Sequence, residues 1–79
     1  QLLINVRVEK MDEVLERSEL KEVTDGILEK LGDTGRIVLR KSGTEPLVRI
    51  MVEASTDEEC EKYCNEIKDK ILELSDSMK

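Results

Sequence analysis

The sequence contains no tryptophan, no phenylalanine and no histidine, and Tyr63 is its only aromatic residue. Any core must therefore be aliphatic, built from Leu, Ile and Val. A sheet face without aromatics also offers no platform on which RNA bases could stack. No apolar run approaches the length of a membrane span, and the opening QLLINVRV carries neither a basic region nor a small-residue cleavage site. The chain enters strand-like sequence directly and without an initiator Met, which reads as a piece of something longer. Cysteine is scarce too. Cys60 and Cys64 lie four apart on a predicted helix, stacked but poorly aimed for a disulfide, and no histidine or second Cys pair completes a metal site. They read as two small core-facing residues in a reducing, cytoplasmic compartment.

At 79 residues the chain is a single domain (1–79) with a modest core, burying only about 60% of its unfolded surface. Charged residues make up 41% of it, yet the apolar residues recur with clear periods, so the chain reads as soluble and folded, not disordered. A net charge of −6 argues against nucleic acid or an anionic membrane as partner.

One apolar stripe dominates the pattern. Cys60, Tyr63, Cys64, Ile67, Ile71, Leu74 and Met78 recur at steps of three and four, which predicts a helix from Thr56 to about Leu74. Thr56 and Glu59 fit a capping box. A second helix is predicted over Ser18 to Leu31, with Ser18 as cap and Gly32 as stop, and a short helical turn over Met11 to Glu16. Residues alternate in Leu2 to Val8, Arg36 to Arg40 and Leu47 to Ala54, as strands do. The order β-α-β-β-α, with the third strand inserted between the first two, gives an α+β split βαβ fold: a three-stranded antiparallel sheet with two helices on one face.

Charge is unevenly placed along these elements. Residues 9–32 and residues 55–79 each hold eight acids against four bases, whereas the strand sections 1–8 and 33–54 are each +1. Four of the five arginines, Arg7, Arg36, Arg40 and Arg49, fall in the strands, and the pleat points all four away from the core, beside Asn5, Leu47 and Met51. Arginine on the solvent side of a sheet is ordinary. The lysines, however, go mostly to the helices, and the open face receives the residue suited to bidentate contact with phosphate or carboxylate.

The connection Lys41 to Pro46 adds to that face. Gly43 permits positive φ, so successive N–H groups can form a concave anion nest. Ser42 and Thr44 supply hydroxyls, Arg40 and Arg49 stand at the two ends, and Pro46 stiffens the exit into the third strand. The same six residues also make an ordinary hairpin turn, and composition alone does not choose between the two.

The string GRIVLRKSGTEPLVRIMVE, Gly35 to Glu53, resembles the phosphate-binding loop and flanking strands of the C-terminal domain in the α-D-phosphohexomutase superfamily, with the wording of the bacterial phosphoglucosamine mutases. The order of elements extends that resemblance over essentially the whole chain. It implies the TBP-like fold of that C-terminal domain, excised from a four-domain enzyme that interconverts glucosamine 6-phosphate and glucosamine 1-phosphate through a bisphosphate intermediate. Such enzymes supply precursors of UDP-N-acetylglucosamine and peptidoglycan. The resemblance further implies that Arg40, Ser42, Gly43 and Thr44 hold the substrate phosphate, that Arg49 joins them, and that Glu45 touches the sugar or braces the loop. The phosphoserine, the Asp-rich Mg2+ loop and the sugar-reading loop of such enzymes have no counterpart here. The expectation is thus a domain with no catalytic or metal residue, no cofactor of its own and no activity alone, whose partners are hexosamine phosphates and sister domains. Two alternatives stand beside it: the same domain of a phosphoglucomutase or phosphomannomutase, and a stand-alone anion-binding regulatory module.

Overall fold

Alternation becomes pleat in three strands: β1 (Leu2–Arg7), β2 (Arg36–Lys41) and β3 (Leu47–Glu53). Around them the computed structural model, which describes residues 1–43 and 45–77, sets three helices, α1 (Met11–Leu15), α2 (Ser18–Leu31) and α3 (Asp57–Ser77). The sheet order is β1-β3-β2 and both pairings are antiparallel. The strand latest in sequence is therefore central, as the split βαβ reading requires. In β3 the alternate residues Val48, Ile50 and Val52 have no exposed surface, because helices cover that side and strands flank both edges.

The helices close over this one face. Cys60, Tyr63, Cys64, Ile67, Ile71 and Leu74 of α3 and Leu20, Ile27 and Leu31 of α2 are buried together with Val6, Val8 and the α3-facing side of β3. Val14 seats the short α1 in the same cluster. Met78, which continues the sequence stripe, lies outside the described residues. The core is aliphatic apart from Tyr63, and both thiols are free and buried, as two core-facing cysteines should be. Burial, and after it the neighbouring Cys60, pushes the Cys64 thiol above its ordinary pKa.

Helix ends agree with the sequence at two places and depart from it at two. The Glu59 N–H donates to Thr56 Oγ1 at 3.2 Å, so Thr56 caps α3. That helix runs three residues past Leu74. Gly32, at φ 61°, ends α2 in a conformation that side chains resist, and its N–H closes on the Leu28 carbonyl. Ser18, by contrast, is not the cap of α2. Arg17 holds that position with extended backbone, and the Ser18 hydroxyl instead donates to Glu19 Oε1 at 3.2 Å. The reason is local: the Arg17 N–H bonds the Val14 carbonyl as α1 ends, so the turn between the helices is complete one residue earlier.

Candidate functional site

The face of the sheet away from the helices is left open, and register fixes what stands on it. Pairing places Asn5 opposite Arg49 and Arg40 opposite Arg49, so these three residues form one row across the sheet. The next row toward the chain termini is Leu3, Met51 and Val38, and beyond it Glu53 faces Arg36. On the other side, nearest the β2–β3 connection, Arg7 faces Leu47. All four strand arginines are exposed, as the pleat requires. They do not converge on one point, however. Arg40 and Arg49 are direct neighbours, Arg7 borders them at the loop end, and Arg36 lies two rows away beside Glu53.

The Arg40–Arg49 pairing is unusual for a sheet. Ser42 N–H donates to the Leu47 carbonyl at 2.8 Å, so by antiparallel alternation Arg40 and Arg49 form a hydrogen-bonded type of pair, with Cα atoms about 5.5 Å apart. Like charges placed directly opposite are destabilising. Among the described residues no carboxylate forms an ion pair with either guanidinium. Two cations held side by side without a counterion are a ready receptor for a doubly charged oxyanion.

The loop completes the site. Its base is closed by the Ser42–Leu47 bond, and a tight turn follows in which Leu47 N–H donates to the Glu45 carbonyl at 2.7 Å across Pro46. Ser42 is half-buried, while Gly43 and Glu45 are exposed. Among the described residues nothing accepts the N–H groups of Gly43 and Glu45. Thr44 lies outside the described residues. Gly43 does not take the positive φ that glycine permits: among the described residues only Gly32 has one. The Ser42–Leu47 and Glu45–Leu47 bonds close the turn without it. Nor does packing demand glycine there, since a Cβ on Gly43 would meet nothing within 4 Å. Glu45 braces the turn through its carbonyl.

Arg36, Arg40 and Arg49, together with Gln1, Leu3, Val38 and Met51, line a shallow open depression of ≈ 220 Å³ on this face. Its floor is apolar, and Met51, although on the open side, is only 9% exposed because Leu3 and Val38 flank it. A larger depression of ≈ 510 Å³ lies between β1 and the start of α3, where Asp57 and Glu61 make it unsuited to an anion.

Sequence reading missed one contact. Lys41 follows Arg40, so the pleat turns it to the helix side, where its ammonium pairs with the Asp12 carboxylate of α1. The signal was the parity of Lys41, which asks for an acidic partner on that side; which of eight acids in residues 9–32 supplies it depends on tertiary structure.

Comparison with known proteins identifies relatives of the chain. The family model described as phosphoglucomutase/phosphomannomutase, C-terminal domain, matches residues 3–70. The chain is similar to a phosphoglucosamine mutase of Oceanobacillus iheyensis, 51% identical over 67 residues, covering 85% of this chain and 15% of that protein. It is similar also to the phosphoglucosamine mutases of Shouchella clausii, 48% identical over 73 residues (92% of this chain, 16% of that protein), and Staphylococcus aureus, 49% over 71 residues (90% and 16%). The chain thus spans about a sixth of the length of the curated relatives it matches.

Proposed function

The chain belongs to the phosphoglucomutase/phosphomannomutase C-terminal domain family, and from that membership we propose that it is the substrate phosphate-binding domain of a phosphoglucosamine mutase. Residues 1–79 form one domain of a longer enzyme that interconverts glucosamine 6-phosphate and glucosamine 1-phosphate. The observation that carries this reading is the cross-strand pair Arg40–Arg49, which no carboxylate of the described residues neutralises, at the mouth of a loop with open amides.

The chemistry follows from that arrangement. Arg40 and Arg49 take the phosphate oxygens with charge-assisted hydrogen bonds, each on the order of 1.5–3 kcal/mol. The Ser42 and Thr44 hydroxyls and the Gly43 amide add donors, and Glu45 borders the sugar. A site that reads only phosphate accepts the group at either end of the hexosamine, as a bisphosphate intermediate that turns over requires. Holding the phosphate that does not react orients the end that does, and phosphoryl transfer depends largely on such positioning.

The chain's own residues bind and orient; we assign none of them a catalytic role. Mg2+ would supply charge neutralisation at the reacting phosphate of the longer enzyme. Among the described residues, no three carboxylate or thiol side chains gather to hold it. The sister domains that would supply the phosphoserine and the metal loop are partners in the proposal. Two free buried thiols fit a reducing compartment, and we place the enzyme in the cytoplasm. The names of the relatives favour glucosamine over glucose or mannose phosphates.

A chimera tests the reading. This chain replaces the matching segment of the Staphylococcus aureus phosphoglucosamine mutase, and turnover of glucosamine 1-phosphate is measured. Arg40→Gln and Arg49→Gln should each lower kcat/KM by about tenfold or more. Unchanged kcat/KM in both variants would refute the assignment.

A further inference from the structure

Both stems of the loop are fastened to one short segment of the chain. The Val8 N–H donates to the Pro46 carbonyl at 2.8 Å, which fixes the outgoing stem to the end of β1. The Asp12 carboxylate pairs with the Lys41 ammonium, which fixes the incoming stem to α1. Segment 8–14 is itself well seated, because Val8 and Val14 are almost wholly buried and Met11 and Leu15 pack against the core. Of the described residues between Ser42 and Leu47, Gly43 and Glu45 make no bond to segment 8–14.

The Lys41–Asp12 pair is exposed on both sides, at 49% and 73% of the two side chains. Such a pair adds little to global stability. Its consequence is local. Lys41 lies between Arg40 and Ser42, so its anchorage constrains the backbone on which both are presented, Arg40 toward the open face and Ser42 toward the loop. Pairing also keeps Lys41 on the helix side, leaving the anion to Arg40 and Arg49.

We propose that Asp12, acting through Lys41, is a positioning residue for the phosphate loop. This inference rests on the phosphate-binding reading above. It has a signature that simple charge does not share. Removing a carboxylate makes the chain more positive, so electrostatics alone would tighten binding of an anion, whereas loss of a positioning contact weakens it.

The test uses this 79-residue chain in four forms: unaltered, Asp12→Asn, Lys41→Met, and the exchanged pair Asp12→Lys with Lys41→Asp. Amide hydrogen exchange is followed without ligand, and inorganic phosphate is then titrated. Asp12→Asn should speed exchange at Ser42 while α3 amides stay unchanged, and should weaken phosphate binding about two- to five-fold, the range an exposed pair supports. Lys41→Met should do the same, and the exchanged pair should restore both readouts at unchanged net charge. Phosphate binding by Asp12→Asn as tight as in the unaltered chain, or tighter, overturns the inference, as does unaltered exchange at Ser42. Failure of the unaltered chain to bind phosphate overturns the phosphate reading itself; the exchange arm, which contains no phosphate, then decides whether the tether exists.

Discussion

Replacing Arg49 by Gln should make the free domain no less stable while removing most of its response to phosphate. Arg49 stands opposite Arg40 with no carboxylate of the described residues paired to either, so the free sheet carries an uncompensated repulsion. Relief of a like-charge cross-strand pair contributes about 0.2–1 kcal/mol. For a domain of this size, 1 kcal/mol moves the melting temperature by about 4–8 °C, so the variant should melt about 1–8 °C higher in the absence of anion. With phosphate that advantage is cancelled or reversed. A dissociation constant of about 1 mM is what a few charge-assisted contacts leave after the costs of association. At tenfold excess over it, the linkage gain is about 1.4 kcal/mol, or about 6–11 °C. Losing one such contact weakens binding about tenfold, which cuts the gain to about 0.4 kcal/mol, or about 2–3 °C. The assay is thermal unfolding by circular dichroism in 10 mM phosphate (about ten dissociation constants) against sodium chloride of equal ionic strength. Equal phosphate shifts in the two proteins, or a variant that is less stable without phosphate, would refute the reasoning.

Four further outcomes follow from particular residues. Gly43→Ala has neither a positive φ nor a neighbour within 4 Å against it, so the melting temperature should hold while the added methyl weakens the phosphate-induced shift; a large loss of stability would contradict the loop geometry. Gly35→Ala would place a Cβ 2.4 Å from Leu31 Cβ and should cost about 1–3 kcal/mol in urea unfolding. Thr56→Ala removes the acceptor of the Glu59 N–H and should cost about 1 kcal/mol by the same assay. Because burial and then Cys60 raise the Cys64 pKa, the folded state keeps a proton that the unfolded state gives up. Its contribution is present below the ordinary thiol pKa of about 8.5 and lost as pH rises beyond it, so urea midpoints should fall above that pH, and less so in Cys64→Val.

The fold was legible because alternation and stripe agree with each other. Val48, Ile50 and Val52 mark the central strand, and the α3 stripe from Cys60 to Leu74 is buried residue for residue. The cap of α2 was not legible, since Ser18 is by residue type the better cap, and it is the turn ending α1, where the Arg17 N–H bonds the Val14 carbonyl, that moves the cap to Arg17. At the site, pleat parity sent Arg40 and Arg49 to the open face, and pairing register then made them neighbours. Register is a tertiary fact: the same parity applies to Arg36, which ends two rows away. A positive φ at Gly43 was inferred from what glycine permits, whereas the loop closes through the Ser42–Leu47 and Glu45–Leu47 bonds without it. Asp12 was hidden among many acids, and only the placement of α1 beside the end of β2 selects it.

The central claim is that Arg40, Arg49 and the loop between them form a site for a sugar-borne phosphate. Amide NMR spectra of the 79-residue chain, recorded while glucosamine 6-phosphate, inorganic phosphate or unphosphorylated glucosamine is added, test it most directly. The account predicts that both phosphates shift the amides from Arg40 through Glu45 and that of Arg49, saturating around millimolar, and that glucosamine shifts none of them. Absence of any shift in that segment at tens of millimolar, or an equal response to glucosamine, would contradict it.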